Sequence, residues 1–239
     1  TVDADGGADY TSLDAALNAI AGGLDIDTIK FVGSDVDTFT WSTYLSQSIG
    51  TITFKGTKND PDSFPVINHT NHGTYNFFNA TNGRFERVVI TGSYGFNMGQ
   101  SAKTHEFLNC VFRDNTSTAT DPYIIHVEGA AALRLENCLF EGNTCGSVIS
   151  INPWGGNPAL IITNCTFDNN TRVFSADPGG SIANYVFKNN IFSGNTTTFM
   201  GNNLRGKTTY SLTSEDIADY GTGCVSNSNP QYHFGNRNK

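Results

Sequence analysis

Two carboxylates, Glu128 and Asp177, occupy polar positions in otherwise apolar runs, and two cations, Arg205 and Lys207, follow downstream. Carboxyl groups held on one face can divide general-acid and general-base work on a glycosidic bond. A lyase instead needs a base, here Arg205 or Lys207, poised to take the proton beside a carboxylate that a cation neutralises. His126, Asn152 and Trp154 lie near this set and supply the polar and aromatic surface that holds a hydroxyl-rich ligand. These side chains are far apart in the chain, so everything depends on the elements that position them.

Those elements repeat. The phrases Phe107-Leu-Asn-Cys-Val-Phe-Arg-Asp-Asn115, Leu135-Glu-Asn-Cys-Leu-Phe-Glu-Gly-Asn143, Ile162-Thr-Asn-Cys-Thr-Phe-Asp-Asn-Asn170 and Phe187-Lys-Asn-Asn-Ile-Phe-Ser-Gly-Asn195 start 28, 27 and 25 residues apart. A period in this range belongs to a solenoid or a propeller. In each copy apolar residues alternate on two short runs that meet at an asparagine, and alternation means strand. Asn tolerates the left-handed backbone of a sharp corner. A third run follows each copy, at Tyr123 to Val127, Ser147 to Ile151, Arg172 to Ala176 and Thr198 to Met200. Three strands and three corners per repeat make one turn of a parallel β-helix, with turns roughly 4.8 Å apart.

Stacking assigns structural roles to residues that resemble chemistry. Cys110, Cys138 and Cys165 recur at one position, followed by Asn190, and predict an inward column rather than a metal site, which needs ligand pairs two to four residues apart. Asn109, Asn137, Asn164 and Asn189 predict a side-chain ladder, and Phe112, Phe140, Phe167 and Phe192 a core column. On the third strand, inward Ile125, Val127, Ile149, Ile151, Phe174 and Ala176 turn His126, Glu128, Ser150, Asn152, Ser175 and Asp177 outward. Two turns then separate Glu128 from Asp177 by roughly 10 Å, near the upper limit for an inverting pair.

Before the repeats, Ile29 to Gly33, Ile52 to Gly56, Pro65 to Asn68 and Arg87 to Gly92 are short strand-like runs. One helix precedes them, N-capped by Thr11 or Ser12, with Leu13, Ala16, Leu17 and Ile20 at helical spacing. It is placed to cover the first open turn, as a solenoid requires. After Tyr232 only His233 to Lys239 follow, so an uncovered last turn is expected to seek strand partners around Phe199 to Asn203 and Thr208 to Leu212.

The start, Asp5-Gly-Gly-Ala-Asp-Tyr-Thr-Ser-Leu-Asp-Ala-Ala-Leu17, resembles the N-terminal cap of the pectin lyase-like superfamily of right-handed parallel β-helices. The Phe-x-x-Asn units Phe112 to Asn115, Phe140 to Asn143, Phe167 to Asn170 and Phe192 to Asn195 are similar to repeats of polymorphic outer-membrane adhesins, and Gly179-Gly-Ser-Ile182 nearly matches their companion motif. The resemblance implies the fold. It leaves open lyases, hydrolases, esterases, tailspikes and adhesins. Neither the paired aspartates of pectin esterases nor the aspartate cluster of polygalacturonases is found.

A chain of 239 residues holds about eight or nine turns at this period. The reading is one domain, with a cap at 1–25, turns at 26–203 and a C-terminal loop and partial turn at 204–239. Net charge −8 with 14 basic residues argues against nucleic acid, which is bound by neutralising phosphates. It also argues against a uronate polymer unless a local positive cleft exists. No apolar stretch is long enough to span a membrane, and Thr1 at the start fits removal of a leader. Cys145 and Cys224 form either a disulfide or two separate thiols.

Asp3, Asp5, Asp9 and Asp14 sketch a calcium loop without its glycine or its final glutamate, and read better as turn and helix-dipole acids. His69 and His72 read as loop polarity, and the Asn-x-Ser/Thr triplets follow from Asn-rich corners. No cofactor is expected. The expected protein is an extracellular or cell-surface β-helix acting as a structural, adhesive or glycan-binding module that self-associates end to end. The alternative is a polysaccharide-cleaving enzyme built on Glu128, Asp177 and Arg205, with a polysaccharide or cell-surface glycan as partner.

Overall fold

A computed structural model describes residues 1–23, 25, 27–32, 37–42, 50–69, 82–92, 95–98, 102–116, 123–153, 156–176, 184–200, 208–209, 211–213 and 222–226. Three parallel sheets wind along one axis. Sheet A contains β1 (Thr28–Phe31), β3 (Thr51–Gly56), β5 (Asn82–Glu86), β8 (Thr104–Leu108), β11 (Ala132–Glu136), β14 (Ala159–Thr163), β17 (Tyr185–Lys188) and β20 (Thr208–Thr209). Sheet B contains β2 (Thr38–Trp41), β4 (Val66–His69), β6 (Val89–Gly92), β9 (Val111–Arg113), β12 (Leu139–Glu141), β15 (Thr166–Asp168), β18 (Ile191–Ser193), β21 (Leu212–Thr213) and β22 (Val225–Ser226). Sheet C contains β7 (Phe96–Asn97), β10 (Tyr123–Glu128), β13 (Ser147–Asn152), β16 (Arg172–Ala176) and β19 (Thr197–Met200). The expected β-helix is therefore observed, and among the described residues five turns carry all three sheets. Pairing runs on past residue 203 through β20, β21 and β22.

The lumen is filled by columns of like residues, because parallel in-register strands place each inward side chain over its equivalent one turn away. Phe112, Phe140, Phe167 and Phe192 stack on sheet B at 4.4, 4.8 and 5.2 Å between ring centres. Phe54, Phe85 and Phe107 do the same on sheet A at 4.6 and 4.7 Å. Cys110, Cys138 and Cys165 form the predicted column. Cys110 Sγ donates to the Phe85 carbonyl at 3.4 Å and Cys138 Sγ to that of Phe107 at 3.2 Å. In the next turn Asn190 takes over, its Nδ2 donating to the Ile162 carbonyl at 3.0 Å. A thiol and an amide thus do one job, linking a corner to the carbonyl of the preceding turn. Burial pushes the thiols of Cys110 and Cys165 well up, which keeps these two neutral. All five cysteines are free thiols, Cys145 and Cys224 included.

In the four repeats the A-to-B corner turns on one residue with positive φ, Asn109, Asn137, Asn164 or Asn189, at 54 to 56°. Their amides face solvent and join in pairs, with Asn137 Nδ2 donating to Asn109 Oδ1 at 3.3 Å. One turn earlier Arg87 holds this conformation at φ 54°, and its guanidinium is anchored to the Gly56 carbonyl and the Asn59 side chain. The arginine is a left-handed residue that no corner pattern reveals.

The helix α1 (Leu13–Ala21) begins at Ser12, whose Oγ accepts from the Ala15 N–H at 3.2 Å. Leu13, Ala16, Leu17 and Ile20 are buried with Ile29, Phe31, Phe39 and Trp41 in one core, and the Asp14 carboxylate accepts two bonds from Ser42 after β2. Of the other acids at this end, Asp3 caps the Asp5 N–H and Asp9 accepts from the Thr1 hydroxyl. His69 departs from the loop reading. It is the last residue of β4 and is buried, with its ring parallel to Phe96 at 5.1 Å and edge-on to Trp41 at 6.0 Å. β2 is absent from the strands expected of the sequence, although Thr38-Phe39-Thr40-Trp41 alternates cleanly, and β5 and β7 carry little strand signal of their own. β5 is held between β3 and β8, whereas β2 and β7 are edge strands held by β4 and β10.

Candidate functional site

Sheet C presents the expected outward row. His126, Ser150 and Ser175 are register partners on β10, β13 and β16, one polar residue per turn, and Asn97 on β7 continues the register but is buried. Beside them Glu128 pairs with Asn152. Inward Ile125, Val127, Ile149, Ile151 and Phe174 are fully buried, which fixes the facing of these residues. Simple alternation fails only at the strand starts, where Ile124, Val148 and Val173 are buried next to buried Ile125, Ile149 and Phe174.

Two contacts shape the face. The Tyr123 and His126 rings stack at 4.5 Å with an interplanar angle of 24°, giving a flat aromatic surface beside the polar row. Ser175 Oγ donates to Ser147 Oγ at 3.0 Å, which couples consecutive turns through side chains. Arg172, at the entrance of β16, does not reach across the face. Its Nη1 donates to the Gly146 carbonyl of the previous turn at 2.8 Å. Next to it the Cys145 thiol is pushed up to about 12 by burial, with Arg172 opposing in part, so it is no nucleophile at neutral pH.

The structure thus brings His126, Glu128 and Asn152 onto one face, with Ser150 and Ser175. Asp177, Trp154, Arg205 and Lys207 lie outside the described residues, as do His72 and the Gly179 to Ile182 motif. Glu128 is the one carboxylate among the described residues of sheet C. Tyr123 joins the face and Asn97, buried, extends its register, both without a signal in the sequence. Asn97 sits on a two-residue strand, and the Tyr123–His126 stack spans three residues at a strand entrance, which a period of two does not anticipate. Among the described residues no group of His, Cys, Asp and Glu is arranged to hold a metal ion, and no helix is long and apolar enough to cross a membrane.

The outer face of sheet A differs in kind. Lys55, Arg84, Glu86, Glu106, Arg134 and Glu136 form a continuous ion-pair ladder with separations from 2.6 to 3.2 Å. Its charges satisfy one another, so it offers little to a ligand. Comparison with known protein families, with curated proteins and with solved structures finds no significant match.

Proposed function

We propose that this chain is an extracellular or cell-surface β-helix of the pectin lyase-like kind, with adhesin-like Phe-x-x-Asn repeats, that works as a structural, adhesive or glycan-binding module. The observation that carries this reading is the row His126, Ser150 and Ser175, one per turn, flanked by the stacked rings of Tyr123 and His126. A linear polymer lying along the axis would meet a fresh hydrogen-bonding group at every turn and an aromatic plane at its side. Such mixed polar and aromatic surfaces suit ligands rich in hydroxyl groups. End-to-end stacking belongs to the same reading, since identical columns continue naturally into a second copy.

The enzymatic alternative would use Glu128 with Asp177 and Arg205. Glu128 faces outward beside Asn152, which is the one feature that favours it.

The deciding experiment is equilibrium binding to neutral and acidic polysaccharides, run with product analysis. Binding that is lost in Tyr123→Ala and in Ser150→Arg, without new reducing or unsaturated ends, supports the module. Products that disappear in Glu128→Gln would establish the enzyme instead. Retention of full binding in both face variants would remove sheet C from the account.

A further inference from the structure

His105 stands at the seam between the third and fourth turns of the solenoid. It points into the lumen in a column that runs Ile52, Gly83, His105, Leu133, Leu160 and Tyr185 along sheet A. Its neighbour Gly83 has no side chain, which leaves room for the imidazole. The Gly83 N–H donates to His105 Nδ1 at 3.2 Å, so the ring is neutral with its proton on Nε2.

Among the described residues this seam has fewer register pairs than each of the next three. Sheet A crosses it from Gly83↔His105 to Glu86↔Leu108, with the Arg84–Glu106 ion pair on its outer side, sheet B by Val89↔Val111 and Ile90↔Phe112, and sheet C by Ile125↔Phe96 and His126↔Asn97. One turn on, β10 and β13 pair from Tyr123 to Glu128, and β8 and β11 over their full length. In a solenoid each turn contacts only its neighbours, so loosening one seam divides the stack in two.

We propose that this seam is an acid-sensitive latch: protonation of His105 turns the acceptor of the Gly83 N–H into a donor facing it, and the turns from β1 to β7 part from the stack that begins at β8. The charged groups around the latch oppose rather than shelter a second proton. The inward residues of the packed strands are Gly83 and Phe85 on β5, Leu133 and Leu135 on β11, Ile125 and Val127 on β10 and Phe96 on β7, none of them ionisable. Arg84, Glu86, Glu106, Arg134 and Glu136 belong to the outer ladder and are paired there. Lys103, two residues away, adds repulsion.

Burial, with Lys103 in support, pushes the His105 imidazole down to about 4 from an ordinary 6.5. The unfolded chain takes up this proton below 6.5 and the folded chain only near 4. Stability present above pH 6.5 is therefore lost as pH falls toward 4, and by about pH 4.5 the unfolding equilibrium shifts on the order of 100-fold.

The test compares wild type with His105→Gln, whose amide oxygen keeps an acceptor for Gly83 without a titrating group. Melting is followed by Trp41 fluorescence in a Trp154→Phe background, because Trp41 lies in the N-terminal turns, and by circular dichroism for the whole stack. Between about pH 7.5 and 4.5 the wild-type Trp41 transition should fall by roughly 5–10 °C more than that of the variant. Circular dichroism at low pH should keep a later component from the downstream turns. Parallel pH dependence in the two proteins, or coincident wild-type transitions at low pH, would overturn the latch. Should the variant fold poorly, amide exchange of wild type decides. Protection at Gly83, corrected for intrinsic rates, must fall with acid relative to Phe140 and Phe167, and unchanged relative protection refutes the proposal.

Discussion

Asn115 and Asn143, one turn apart, share a single oxygen. Asn143 Oδ1 accepts from Asn115 Nδ2 at 2.8 Å and from the Asn115 backbone N–H at 3.1 Å. The pattern repeats from Asn143 to Asn170 and from Asn170 to Asn195, and each amide also donates to the carbonyl of the preceding turn's phenylalanine, Phe112, Phe140 or Phe167. The last residue of each Phe-x-x-Asn unit is thus a rivet between turns, buried at Asn115, Asn143 and Asn170 and half-buried at Asn195.

Replacing Asn143 with Ala should accordingly be severe. It removes the partners of the Phe112 carbonyl and of the Asn115 backbone N–H, and buried polar groups left unpaired cost about 1–3 kcal/mol each. The expected loss is about 3 kcal/mol or more in denaturant unfolding, and a loss below about 1 kcal/mol would contradict the ladder.

Cys138→Ala removes one thiol from a packed column and opens a small cavity. Destabilisation of about 1–2 kcal/mol is expected, without change in metal content. Thiol reagents should modify Cys138 only on unfolding, since it is fully buried. Stoichiometric zinc in the purified protein, released by a thiol reagent, would reverse this assignment.

Arg134 bridges Glu106 and Glu136 at 3.2 and 2.6 Å on an exposed sheet face. Exposed pairs are screened by water, so Arg134→Ala should cost no more than about 1 kcal/mol. The difference from wild type should shrink further in molar salt. A larger, salt-independent effect would mean that the guanidinium stem packs more than it pairs.

Gly56 ends β3 beneath the Arg87 corner. A Cβ there would lie 2.0 Å from the Arg87 carbonyl oxygen and 2.9 Å from Pro65. Gly56→Ala should therefore displace the left-handed corner and lower stability by several kcal/mol. The check is a thermal melt, in which a variant within 2 °C of wild type would show that the corner yields freely.

The repeat period, the alternation within each copy and the asparagine at each corner were enough to establish a parallel β-helix, because in-register stacking imposes the same residue type at the same place in every turn. The columns of Cys110 and Phe112 and the outward facing of His126, Glu128 and Asn152 follow from that periodicity alone, while the helix that starts at Ser12 follows from its cap and its own helical spacing. Only the tertiary structure decided what breaks it. Arg87 adopts the corner conformation without being Asn because Gly56 and Asn59 hold its guanidinium. His69 and His105 enter the lumen because aromatic neighbours and Gly83 make space for a ring. Tyr123 reaches His126 because the start of β10 departs from strict alternation. A period reports what neighbouring turns have in common, whereas these contacts arise where one turn differs from the next, and such differences acquire meaning only when the turns are stacked.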